Sequence, residues 1–186
     1  MYETIKNAYM ESVVVMKGDY PYFVNAISDG NPEVSKEMLD DIVHAISSKT
    51  DIECDVILAP EAMGIPYAAA MTLRTGIPFQ ILRKKNHNMP GEIEIKYTTG
   101  YSSSEMYINN IKPGTRAMII DDVISTGGTI KAMVNALKEN GVVITNVIIV
   151  LNKSRDIKSI EEEIGCPIIT LLDVGVEDGK PVIYSE

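Results

Sequence analysis

The stretch that most constrains the fold is Ala117-Met-Ile-Ile120, an apolar run that ends in Asp121-Asp122. It is followed by Ser125-Thr-Gly-Gly-Thr129 and an amphipathic segment that runs to Glu139 and stops at Asn140-Gly141. So apolar a run is a strand buried on both faces, and a strand feeding directly into a helix calls for a parallel neighbour reached by a crossover. The same alternation recurs along the chain. Asp55–Pro60 and Pro78–Leu82 read as strands on either side of a small-residue helix, which starts at Gly64-Ile-Pro66 and ends near Thr75-Gly76. Thr145–Leu151 and Pro167–Leu172 read as strands on either side of a charged helix, Asp156–Ile164. Pro32-Glu33 reads as the start of another helix, with Val34, Met38, Ile42, Ala45 and Ile46 at helical spacing down to about Lys49. The prediction is α/β: a central, mostly parallel sheet flanked by helices, forming a single domain over residues 1–186.

Two regions break the pattern. Residues 1–31 carry Ser12-Val-Val-Val-Met16 and Tyr22-Phe-Val24, which predict a small cap or hood beside the sheet. Residues 83–104 open with the basic, turn-rich Arg83-Lys-Lys-Asn-His-Asn-Met-Pro-Gly91. They continue through the alternating Glu92-Ile-Glu-Ile-Lys-Tyr97 to a hydroxyl-rich tip at Tyr101–Ser104. Alternation there predicts an exposed, two-sided hairpin arm, and so long a polar insert predicts a mobile lid.

Composition narrows the chemistry. With 26 acidic against 17 basic residues the net charge is −9, which opposes a nonspecific nucleic-acid binder. The N-terminal residues include Glu3, Lys6 and Asn7 in place of a signal-like apolar core, and no run is long enough to span a bilayer. A cytoplasmic protein without membrane contact is expected. Cys54 and Cys166 are read as buried, reduced thiols, and His44 and His87 are too few and too separated for a zinc site.

The Asp121–Thr129 stretch carries the chemistry. Its turn lies at the carboxyl end of a parallel strand and at a helix N-terminus, where backbone N–H groups converge on a phosphate. Gly127 and Gly128 permit close approach, and Ser125, Thr126 and Thr129 add hydroxyls. Aspartates would repel that phosphate but accept hydrogen bonds from sugar hydroxyls beside it, so the string fits a ribose 5-phosphate. No lysine follows the glycines as in a Walker loop, and no G-x-G-x-x-G is present.

The string resembles the signature of the phosphoribosyltransferases, and the likeness to adenine-type members extends over about residues 20–172. Leu58-Ala-Pro-Glu-Ala-Met-Gly64 resembles their pyrophosphate loop. Arg83-Lys-Lys with Met89-Pro-Gly-Glu92 resembles the start of their mobile catalytic loop, and Ile111–Arg116 the turn before the signature strand. As a whole the chain is most similar to archaeal hypoxanthine or hypoxanthine-guanine enzymes built on that plan. The resemblance implies Mg²⁺, bound mainly through phosphoribosyl pyrophosphate, a purine base as second substrate, and a homodimer. It implies that Asp121 and Asp122 hold the ribose hydroxyls and that Ser125, Thr126, Gly127, Gly128 and Thr129 cradle the 5′-phosphate. Arg83 and Lys84, with backbone from Ala62, Met63 and Gly64, would take the pyrophosphate, and Tyr97 would act from the lid.

Three departures stand out. Met63 replaces a common Arg, Lys96 a common Glu before the lid tyrosine, and Asn25 a common Arg in the cap. The second leaves the proton-transfer group open between Asp122, Glu105 and water. For the base, the Tyr22-Phe-Val-Asn25 segment resembles the purine-contacting cap, with Phe23 to stack on the ring and Asn25 in place of the usual Arg, and Lys153 resembles the lysine that donates to O6 of an oxopurine. A 6-amino group cannot accept that bond, which favours hypoxanthine, with guanine beside it, over adenine. An adenine enzyme making AMP and a non-catalytic sensor of phosphoribosyl pyrophosphate are the alternatives.

Overall fold

The computed structural model describes residues 2–18, 20–98 and 103–186. Helix α1 (Glu3–Met10) leads into β1 (Val13–Lys17), β2 (Tyr20–Val24) and the short α2 (Ala26–Asp29). Then come α3 (Lys36–Lys49), β3 (Val56–Pro60), α4 (Gly64–Thr75) and β4 (Phe79–Leu82), followed by β5 (Ile93–Thr98) and β6 (Ser103–Ile108). The chain ends with β7 (Arg116–Ile124), α5 (Gly128–Glu139), β8 (Val143–Asn152), α6 (Ile157–Ile164), β9 (Ile168–Glu177) and β10 (Lys180–Ser185).

The main sheet has the order β10-β9-β8-β7-β3-β4. Its pairs are parallel except β10 with β9. After Arg116, β7 is apolar from Ala117 to Ile120 because both of its faces are covered there. Met118 and Ile120 pack with residues of α1 to α4, while Ala117 and Ile119 pack with α5, α6 and the β5–β6 hairpin. Two cores therefore clamp the strand that carries the aspartates. β1 and β2 form a separate hairpin beside the first core, matching the cap expected there.

Several boundaries differ from the sequence reading. Pro32 lies outside α3, after a cis Asn31–Pro32 peptide; the helix begins at Lys36, where Ser35 Oγ accepts from Met38 N at 3.1 Å. A side chain that satisfies a first-turn N–H sets that start. β7 does not end at the aspartates, since Asp121 pairs with Ile149 and Val123 with Leu151. The β5–β6 arm is one-sided. Ile93, Ile95, Met106 and Ile108 are buried in the second core, whereas Glu94, Lys96 and Glu105 face outward. The strand after α6 runs on to Glu177, and β10 folds back against it. Cys166 is buried and Cys54 half-buried, and both are free thiols. Among the described residues no helix is long and apolar enough to cross a membrane.

Candidate active site

Asp121 and Asp122 lie in the second half of β7 and are half-buried. Asp122 N donates to Asp121 Oδ1 at 3.0 Å. Burial pushes Asp121 up to about 6, against the pull of its hydrogen bonds with Asp122 and of the Lys84 charge. Asp122 is raised well above the usual carboxylate range, by burial first and by the neighbouring Asp121 charge second. Two adjacent desolvated carboxylates are costly, and hydroxyl donors or a cation would relieve them.

β7 then turns through Ser125 and Thr126 into α5. Gly127 caps the helix at φ 76, in the left-handed region, and a Cβ there would meet Ile160 Cδ1 at 2.7 Å. Both demands select glycine. The first N–H groups of α5 have no intrahelical acceptor and open onto the turn, with Ser125 and Thr129 half-buried and Thr126 exposed. An anion fits this end of the helix.

The turn at residues 61–64 comes against the same strand from β3. Its Glu61–Ala62 peptide is cis, and Ile65 N donates to Ala62 O at 3.2 Å. Gly64 sits so close to β7 that a Cβ would lie 2.6 Å from Ile120 O, the carbonyl just before Asp121. Met63, the departure noted in the sequence, lies beside Gly30 at the end of α2.

The basic residues divide. Arg83 N and O pair with Tyr107 O and N, at 2.9 and 2.8 Å. The Arg83 side chain lines a cleft of about 360 Å³ with Phe79, Ile81, Lys85 and His87, and no residue of the Asp121–Thr129 stretch lines that cleft. Lys84 is the cation whose field reaches Asp121, and its N–H donates to Glu61 Oε2 at 3.0 Å. Alternation along an extended segment sends neighbours to opposite sides, so Lys84 is the pyrophosphate candidate that the fold brings to the aspartates. Tyr97 is half-buried against the second core, beside Ile95 of the same hairpin. Glu105 accepts from the Tyr107 hydroxyl. Of the lid tip, Tyr101 and Ser102 lie outside the described residues.

The cap residues also divide. Phe23 is buried, with its edge on Tyr9 at 5.2 Å between ring centroids, and Lys153 Nζ stands 4.5 Å over its ring. Residues 130 positions apart in the sequence thus meet. Asn25 does not join them. Its Oδ1 accepts from Ile27 N at 2.8 Å and Ser28 N at 3.0 Å, and its Nδ2 donates to Ser12 Oγ at 3.0 Å. It is the buried cap of α2, a role its short amide suits.

Tyr67 was not singled out from sequence. It is fully buried under the aspartates, its hydroxyl donates to Ile27 O at 2.5 Å, and burial followed by the Asp122 and Asp121 charges pushes its pKa up. Its place one turn after Gly64 on α4 was the available signal.

The phosphoribosyl transferase domain model matches residues 33–175, which spans the signature strand, the turn and the 61–64 loop. The chain belongs to the phosphoribosyltransferase family. The hypoxanthine/guanine phosphoribosyltransferase of Methanohalophilus mahii is 44% identical over 184 residues, covering 98% of this chain and 96% of its own. That of Methanothermus fervidus is 44% identical over 186 residues, with 100% and 98% covered. Solved phosphoribosyltransferase structures share the fold. The adenine phosphoribosyltransferase of Thermoanaerobacter pseudethanolicus superposes with a TM-score of 0.72 at 19% identity, over 91% of this chain and 99% of that one. The Saccharomyces cerevisiae adenine enzyme gives 0.71 at 18% identity, over 92% and 100%.

Proposed function

We propose that this phosphoribosyltransferase serves purine salvage. It transfers ribose 5-phosphate from phosphoribosyl pyrophosphate to hypoxanthine, giving IMP, and to guanine, giving GMP. The observation that carries the choice of base is Lys153, just after β8, whose ammonium stands 4.5 Å from the centroid of the Phe23 ring. The names of the archaeal relatives support the same reading. An oxopurine offers O6 as an acceptor to that ammonium, and the base takes over the Phe23 face as the ammonium moves to O6.

In the reaction the bond from C1′ to pyrophosphate oxygen breaks with its electrons on the leaving anion, and a base nitrogen bonds C1′ from the opposite face as its proton leaves. Asp121 and Asp122 orient the ribose through its hydroxyls. The 125–129 turn anchors the 5′-phosphate, and Lys84 with the 62–64 backbone takes the pyrophosphate charge. Arg83, on its own cleft, reaches the site only if the 83–104 segment moves as a lid. That movement would also exclude water from the electrophilic C1′.

The donor set fits Mg²⁺. Two adjacent part-exposed carboxylates suit an ion that keeps several waters and rides on substrate phosphates, and Asp121 and Asp122 would hold it largely through the ribose hydroxyls. Bound there, the ion would supply charge neutralisation for the leaving pyrophosphate. The enzyme works in the cytoplasm as a homodimer, a reading that rests on the family likeness alone.

Lys153→Met tests the base assignment. It should lower kcat/KM for hypoxanthine about tenfold or more while sparing adenine, since only the oxopurine loses a partner. Unchanged hypoxanthine kinetics would remove Lys153 from the base site.

A further inference from the structure

Residues 173–186 held no legible role in the sequence, yet they form the second half of β9 and all of β10 and line one cleft with Lys153. Asp173 lines a cleft of about 460 Å³ together with Lys153, Arg155, Gly175 and Tyr184. Its carboxylate is fully engaged by neighbours on both sides. Oδ1 accepts from Asn152 Nδ2 at 2.9 Å and lies 3.5 Å from the Thr170 hydroxyl, while Oδ2 accepts from Ser185 Oγ of β10. Asn152, buried and directly paired with Asp173 across β8 and β9, in turn accepts through Oδ1 from Ser154 N at 2.8 Å. Between them Lys153 N donates to Ile124 O at 2.8 Å, at the end of the strand that carries the aspartate pair.

The backbone of residues 152–154 is therefore pinned on both sides of Lys153. The pair joins a buried amide to a half-buried carboxylate, and its hydrogen bonds hold the loop in one orientation. We infer that Asp173 is a positioning residue for base recognition: anchored by Ser185 of the C-terminal strand, it holds Asn152 and so aims Lys153 at the base. The inference rests on the reading of Lys153 given under Proposed function.

The test is a double-mutant cycle between Asp173→Ala and Lys153→Met, read by steady-state kinetics with hypoxanthine and with phosphoribosyl pyrophosphate varied in turn. Asp173→Ala should raise the hypoxanthine KM by roughly tenfold, the loss expected for one misdirected charged hydrogen bond, with kcat and the other substrate's KM within about twofold. Asp173→Asn, which keeps an acceptor for Asn152, should recover most of this. In the Lys153→Met background Asp173→Ala should add nothing to the hypoxanthine KM. An equal rise in both backgrounds, or no rise where Lys153→Met alone raises KM, would overturn the positioning role while leaving Lys153 in place. If Lys153→Met itself has no effect, both readings fall. Should Asp173→Ala not fold, as thermal unfolding would reveal, the cycle runs with Ser185→Ala, which removes only the Oδ2 partner. A rise of about two- to threefold that vanishes in the Lys153→Met background is then expected, and its absence overturns the inference.

Discussion

Replacing Asp121 and Asp122 together by asparagine will lower turnover about a thousandfold or more and, at neutral pH, will make the protein more stable. Turnover falls because the carboxylates that orient the ribose are the strongest acceptors in the cleft, and an amide returns a donor where an acceptor is needed. Stability rises because burial lifts both folded-state pKa values, with Asp121 moved from 3.8 to about 6. A raised carboxylate costs nothing below its unfolded value, where it is neutral in both states. As pH rises from the unfolded value toward the folded one, the unfolded chain ionises first and the folded state loses ground, until both forms are ionised. The variant should therefore match the wild type below about pH 3.5, and its advantage should grow between pH 4 and pH 6, where the Asp121 part levels off. The gain is on the order of 1–3 kcal/mol once partial exposure is allowed for. Urea unfolding across that range, with chelator present and substrates absent, reads the difference. A variant that turned over normally, or one less stable than wild type at pH 7.5, would contradict the site.

Gly64→Ala should be nearly as damaging from outside the chemistry. The new Cβ would stand 2.6 Å from Ile120 O and 3.0 Å from Pro60 Cδ, and backbone and ring atoms cannot swing aside as a side-chain tip can. Either the 61–64 loop lifts off β7 or the strand shifts under Asp121. Overpacking of this kind costs about 1–3 kcal/mol, and a displacement of about 1 Å at a reacting site costs on the order of a hundredfold in rate. Gly76→Ala serves as the control. Its φ of 77 imposes strain but its Cβ would meet nothing within 4 Å, so it should lose stability and keep activity. Normal turnover by Gly64→Ala would show that the loop does not shape the site.

What was legible in the sequence follows from where the forces are local. The strand, aspartate pair, glycine turn and helix from Ala117 to Glu139 form one continuous unit, and each of its parts carries its own signal in residue type and spacing. The β5–β6 arm was misread because its partner surface is remote. Ile93 and Ile95 alternate with charges, which suits either a free arm or a covered one, and only α5 folding over them decides it. Asn25 was assigned to the base by its place in the cap, but an amide before Ala26 also caps a short helix, and that local hydrogen bonding won. Arg83 and Lys84 were indistinguishable by charge, and the pairing of Arg83 with Tyr107 sets which of them faces Asp121. β10 was invisible because Lys180–Ser185 is short, half-exposed and held at the sheet edge.

The most direct measurement is to incubate the pure protein with Mg²⁺ and phosphoribosyl pyrophosphate and, in separate tubes, hypoxanthine, guanine, adenine and xanthine, then to separate the nucleotides by chromatography. IMP and GMP with little AMP is the predicted result. AMP as the main product would contradict the Lys153 reading while keeping the phosphate cradle, and no nucleotide from any base would contradict the enzyme itself.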